Sequence, residues 1–130
     1  MATAADISVF LTQVKASLSS NNYKILDQRW KYRSTLSQLG IVDQDVIDDI
    51  RNLSCNENWI QEPDDNPSFP GDVWMCKKQL HGMCIYIKLK IQSSSSGLLL
   101  IMSYHIDGMR IIDIKGVFSW LNYFIAVDAN

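Results

Sequence analysis

Apolar positions follow two periods along this chain, and the period changes once. In the first third they recur at helical spacing; between Val73 and Ile106 they alternate. Ile7, Phe10, Leu11, Val14 and Leu18 share one helical face behind Asp6, which can cap the first turn, and Ser19 to Asn22 closes the segment. Tyr23-Lys24-Ile25-Leu26 fits a short extended piece. Ser34 to Leu39 reads as a short helix ended by Gly40. Asp43 can cap a further helix that turns Val46, Ile47, Ile50 and Leu53 inward. Its outer acids, Asp45, Asp48 and Asp49, complement the positive end of the helix dipole and need no other explanation.

The alternating region holds three runs, VWMCKKQL, MCIYIKLKI and LLLIMSYHI, separated by His81-Gly82 and a Ser-rich loop. In the middle run Met83, Ile85, Ile87, Leu89 and Ile91 take every second position. Cys84, Tyr86, Lys88 and Lys90 fall between them, which predicts a strand with one buried face and one basic face. A two-residue turn at His81-Gly82 pairs Lys77 with Tyr86, Met75 with Lys88 and Gln79 with Cys84. Centring the second hairpin on Ser94-Ser95 pairs Tyr86 with Ser103, Lys88 with Ile101 and Cys84 with His105. Lys77, Tyr86 and Ser103 then form one cross-strand row, with His105 diagonal to Tyr86.

Residues 54–72 contain Pro63, Pro67, Pro70 and Gly71 and read as one irregular acidic stretch, with Glu57, Glu62, Asp64 and Asp65 as solvated loop charges. Beyond the strands, Met109–Ile114 predicts one more strand. Val117, Phe118, Trp120, Leu121, Phe124 and Ile125 follow at helical spacing. The expected architecture is a single α+β domain over residues 1–130, with N-terminal helices packed on a mainly antiparallel sheet. Its parts are a mainly helical 1–53, the loop 54–72, a three-stranded antiparallel sheet over 73–106, and a C-terminal strand and helix in 107–130.

A length of 130 residues suits one domain with a real core. No apolar run reaches the length of a membrane span, and the first residues carry no secretory pattern. Cys55, Cys76 and Cys84 are odd in number and lack zinc-ligand spacing, so a reducing, cytoplasmic setting without structural metal is expected. The net charge of −2 hides a segregation of signs. Lys15, Lys24, Arg29, Lys31, Arg33, Lys77, Lys78, Lys88 and Lys90 cluster in two segments, whereas residues 34–72 are strongly acidic. Such a division permits a local basic surface, although solvated faces alone produce it too.

The run Arg29-Trp30-Lys31-Tyr32-Arg33 interleaves cations with aromatic rings. Two readings fit it equally: phosphate contact with base stacking, or lysine and arginine stems lying over buried rings. No phosphate-binding glycine loop, dinucleotide fingerprint, metalloprotease helix or nucleophile elbow is present, so the common nucleotide, redox and hydrolase motifs give no lead and no cofactor is expected.

Five segments, LTQVKASLSS, STLSQLGI, DDIRNLS, GDVWMCKKQLHGMCIYIKLKI and LLLIMSYH, occur in this order over roughly residues 8–106. Together they resemble the MqsR-like toxins, ribonuclease components of bacterial type II toxin–antitoxin systems with a RelE-type fold. The most specific piece is the strand bearing Trp74 followed by Tyr-Ile-Lys-Leu-Lys-Ile at 86–91. The resemblance implies metal-independent cleavage of messenger RNA on the sheet face and neutralisation by a cognate antitoxin. Tyr86 matches the tyrosine of the family's Tyr-x-Lys strand. His105, within Ser103-Tyr104-His105, falls where the last strand's catalytic cation lies. Two family positions depart: a lysine expected after the acidic helix falls near Ile60, and a polar residue expected beside Trp74 falls at Met75. Gln61 or Lys77 would have to substitute. The family also ends soon after the last strand, whereas this chain continues to Asn130. These departures put activity in question while leaving the fold.

The residue chemistry expected of such a site is definite. His105 can move a proton near neutrality, and Lys77 and Lys88 can offset charge on a phosphorane. Tyr86 can stack or donate a hydrogen bond, its pKa lowered by the nearby lysines. Arg29, Lys31, Arg33 and Lys90 would hold the RNA backbone. The plainer alternatives are that Tyr86 is a good strand former, that exposed lysines protect a sheet edge, and that His105 is structural. At the level of the whole chain the alternatives are a degenerate toxin-fold binding module, or a homodimer formed through Phe118, Trp120, Leu121 and Phe124.

Overall fold

The computed structural model describes residues 2–64, 71–92 and 97–110. Within them the chain forms helices α1 (Ala4–Ser19), α2 (Trp30–Leu39) and α3 (Asp43–Arg51), and strands β1 (Tyr23–Ile25), β2 (Ile60–Pro63), β3 (Asp72–Leu80), β4 (Met83–Gln92) and β5 (Leu98–Ile106). The strands make one sheet in the order β1-β5-β4-β3-β2. β1 runs parallel to β5 and the other pairs are antiparallel, so the sheet is mixed.

One sheet face carries the core. Ile85, Ile87 and Leu89 of β4 are fully buried with Leu99, Ile101 and Tyr104 of β5, beneath the apolar stripes of α1 and α3. Phe10 of α1 stacks on Trp74 of β3 with ring centroids 4.4 Å apart and planes 8° from parallel. Burying side chains of this size supplies about 2 kcal/mol or more each, which makes alternation along β4 the strongest constraint on register. The other face carries Met75, Lys77, Tyr86, Lys88, Ser103 and His105.

Local details differ from expectation for identifiable reasons. Thr3 is the N-cap of α1. Its hydroxyl accepts from the Asp6 N–H and the Asp6 carboxylate accepts from the Thr3 N–H, both at 3.1 Å, so Asp6 is the third residue of a capping box. α2 begins at Trp30, four residues before the expected start, because Tyr32 and Thr35 are both buried and extend its inward face back through the basic-aromatic run. Gly40, at φ 67°, ends it in the left-handed conformation. Val42, not Asp43, holds the N-cap position of α3, and its N–H donates to the Asp45 carboxylate at 2.9 Å. Part of the stretch read as irregular forms β2, an edge strand whose Pro63 sits where no ladder donor is needed.

The first hairpin has the expected register: Lys77 opposes Tyr86, Met75 opposes Lys88 and Gln79 opposes Cys84. The second does not. Tyr86 opposes His105 and Lys88 opposes Ser103, while beyond a β-bulge Leu89 opposes Ile101. Gln92 pairs with Leu98, so the connection spans an odd number of residues, and Met102 is the extra residue of the bulge. Neither irregularity leaves a mark in the alternation. The strand expected from Met109 is absent at its first two residues. Met109 is instead buried, its sulfur 4.0 Å from the Thr35 hydroxyl. The remainder of that strand and the helix with Phe118, Trp120, Leu121 and Phe124 lie outside the described residues.

Candidate functional site

A gap along the outer edge of β5 creates the main cleft. β1 pairs only with Leu99 to Ile101. Farther along, α2 covers the edge, where the Ile106 N–H donates to the Thr35 hydroxyl at 3.0 Å. Between these two points the chain turns from Leu26 into Trp30, and a cleft of about 460 Å³ opens onto the polar sheet face. It is lined by Arg29, Trp30 and Lys31 from the start of α2, by Tyr86 and Lys88 of β4, and by Ser103 and His105 of β5, over an apolar floor that includes Leu26 and Ile101.

The bulge shapes this cleft. It frees the Met102 carbonyl to accept from the Arg29 guanidinium at 2.8 Å, which fixes the residue ahead of α2 against β5. Tyr32, one turn into the helix, donates its phenol O–H to Asp43 at 2.5 Å. The start of α2 is electrostatically unusual: it has no side-chain cap and no acid in its first turn, and Arg29, Lys31 and Arg33 surround its positive end. Cations there oppose the helix dipole. An anion in the cleft would meet cations and dipole of the same sign.

His105 is placed for proton chemistry. Its ring lies beside the Tyr86 ring, centroids 5.2 Å apart, and its Nδ1 is 2.9 Å from the Ile106 carbonyl. A carbonyl only accepts, so Nδ1 carries the hydrogen and Nε2 offers the lone pair. Burial holds the imidazole below its ordinary value of 6.5. The Lys31 and Arg29 charges add to that effect, against the Ile106 carbonyl and Asp107. Both the tautomer and the direction of the shift favour a neutral ring with Nε2 as its acceptor.

Other expected site residues stand differently. Tyr86 and Lys88 line the cleft, but the Tyr86 phenol is raised, not lowered. Burial is the main cause and the Glu62 and Asp107 carboxylates add to it, while Lys77 alone pulls the other way. Lys77 lies in the same cross-strand row, yet its ammonium reaches away to Asp107 at 3.1 Å on the surface and does not line the cleft. Arg29 and Lys31 are at the cleft. Arg33 is exposed on α2 and lies outside its lining. Lys90 follows Lys88 on the same face but is 1% exposed, with Nζ 2.6 Å from Asp64, so it presents no charge to an RNA backbone. That pairing also takes Asp64 out of the solvated loop charges.

Ile60 and Met75, the two departures from the family pattern, face each other across β2 and β3. Neither substitute reaches the cleft, since the Gln61 amide donates to Asp72 and Lys77 is held by Asp107. Trp30, one of the rings for which base stacking was one of two readings, lines the cleft. Ser103 keeps its expected polar face, and the bulge changes its partner from Tyr86 to Lys88. Among the described residues, no His, Cys, Asp and Glu side chains gather into a metal-binding group, and no helix is long and apolar enough to cross a membrane. A positively lined cleft with an imidazole acceptor and a phenol can hold an anion by charge and hydrogen-bond to its neighbouring groups. No protein-family model, curated protein or solved structure matches the chain.

Proposed function

We propose that the cleft binds single-stranded RNA and cleaves it without a metal, as a toxin of the MqsR-like, RelE-type kind that a cognate antitoxin neutralises. The observation that carries this reading is the placement of His105, whose Nδ1 donates to the Ile106 carbonyl and leaves Nε2 as the acceptor, in a cleft lined by Lys88, Lys31 and Arg29. In the reaction, Nε2 takes the proton of a ribose 2′-hydroxyl and the 2′-oxygen forms a bond to phosphorus. The bond from phosphorus to the 5′-oxygen breaks, and that oxygen takes a proton from water. The products are a 2′,3′-cyclic phosphate and a 5′-hydroxyl, and the imidazolium returns its proton to solvent. Lys88 offsets charge on the phosphorane, a contribution of about 3 kcal/mol for a well-placed donor. Tyr86, which holds its proton firmly, serves as a neutral hydrogen-bond donor and ring neighbour. The cationic lining repels a divalent ion, in keeping with metal-independent chemistry.

The test is cleavage of a defined RNA in EDTA by the parent chain and by His105→Ala and Tyr86→Ala. Cutting by the parent that falls about 100-fold or more in folded His105→Ala supports the reading. Equal cutting by His105→Ala contradicts it.

A second reading is favoured by the Ile60–Met75 pair, which puts two apolar side chains where the family has polar ones, and by the diversion of Lys77 to Asp107. On that reading the chain binds RNA or an antitoxin-like partner without cutting. RNA binding at low salt with no cleavage by the parent would select it.

A further inference from the structure

The cleft has a polar part and an apolar part, and the proton chemistry uses only the first. Its apolar lining is Leu26, Trp30, Ile101 and Met102. Within the described residues, Trp59 and Trp74 pack around Phe10 in the core, whereas Trp30 belongs to neither the core nor the residues packed on it. Trp30 is nevertheless held in place on both sides, by Arg29 on the Met102 carbonyl and by Tyr32 on Asp43. The Lys31 ammonium lies 5.8 Å from its ring centroid. A large half-buried ring, fixed outside the hydrophobic core and flanked by cations, is the arrangement found where a base stacks while its phosphate is neutralised. The strand edge adds directional groups. The Ile106 N–H points outward to Thr35, so by alternation the Tyr104 N–H and C=O point to the same edge, toward the cleft.

We propose that Trp30 and the apolar lining form a nucleobase slot, in which one base of a single-stranded RNA stacks on the indole while its adjoining phosphate lies toward Lys88 and His105. The slot rests on the reading of the cleft as an RNA site, but its test is binding and not cleavage. The volume of about 460 Å³ falls within the range of small-ligand sites and accommodates one nucleotide.

The experiment measures, at low salt, the affinity of a labelled short 2′-O-methyl RNA, which lacks the nucleophile, against an abasic strand of the same length. The parent chain should bind the base-bearing strand roughly 5- to 100-fold tighter than the abasic one. Trp30→Ala should lose that difference while keeping the parent's circular dichroism and unfolding midpoint, and Trp30→Phe should keep most of it. Equal binding of both strands by the parent overturns the slot. So does a Trp30→Ala variant that discriminates as well as the parent. Discrimination without any cleavage of ordinary RNA leaves the slot standing and removes the catalytic reading; cleavage without discrimination does the reverse. Binding of neither strand overturns both.

Discussion

Tyr86 and His105 stand directly opposite each other on β4 and β5, their rings tilted by 37°. Each ring takes solvent from the other, and for the imidazole this disfavours the charged form. His105 should titrate below 6.5 by NMR of its ring protons. Tyr86→Ala should move the midpoint back toward that value, and a bound phosphodiester should raise it. Cleavage should rise with pH through the His105 midpoint and level off by neutrality. The sign for stability follows from proton counts. Between the folded midpoint and 6.5 the unfolded chain binds more protons. The stability linked to His105 is therefore full above 6.5 and is lost as pH falls through the folded value. Unfolding of His105→Gln should show a shallower acid-side slope than the parent.

Lys77 and Lys88 are adjacent on the polar face but differ in what they face. Lys77→Ala removes a surface pair with Asp107 and should leave the unfolding midpoint essentially unchanged and the cleavage rate within about 3-fold of the parent's. Lys88→Ala removes a cation from the cleft and should reduce cleavage by about 100-fold with the fold intact. Rates for the two variants under identical conditions check both statements.

Tyr104 is fully buried between the two cleft residues Ser103 and His105, and its phenol donates to Asp49 at 2.5 Å. Burial and that carboxylate push the phenol well above its usual range. Tyr104→Phe should cost about 2 kcal/mol in denaturant unfolding, the value of a hydrogen bond to a charged group. His81, whose ring nitrogen is 2.7 Å from the same carboxylate in the exposed β3–β4 turn, should matter less, and His81→Ala should cost under about 1 kcal/mol.

Lys90 and Asp64 form the most buried ion pair among the described salt bridges, with side chains 1% and 16% exposed. Asp64→Ala takes the carboxylate from a buried ammonium and should destabilise the protein by about 2 kcal/mol or more. Lys90→Met in the same background should recover part of that loss. Neither change should alter RNA affinity beyond its effect on stability, because Lys90 offers no charge to solvent. Paired denaturation and binding measurements decide the point.

How much of this was legible in the sequence depends on which interaction sets each feature. The alternation of Ile85, Ile87 and Leu89 required a strand with one buried face, and the His81-Gly82 turn fixed its first partner, so the Lys77–Tyr86 pair could be read directly. Both steps depend on short-range rules. The Tyr86–His105 pair could not be read, because the odd loop and the bulge at Met102 are set by packing of Ile101 and Tyr104 on the helices. β1 was visible as an extended piece, but its parallel place beside β5 is a tertiary choice. The acid partners of Lys77 and Lys90 come from Asp107 and Asp64, segments with no periodicity to place them. Register and charge pattern therefore assigned to the site two lysines that their acid partners hold away from it.

The measurement that bears most directly on the central claim uses an oligonucleotide of deoxyribose units with a single ribose, incubated with the parent chain and with His105→Ala in EDTA. The account predicts cutting only after the ribose by the parent, with a 2′,3′-cyclic phosphate and a 5′-hydroxyl at the new ends, and loss of that cutting in the folded variant. Cutting at deoxyribose positions, cutting that survives in His105→Ala, or no cutting by the parent would contradict it.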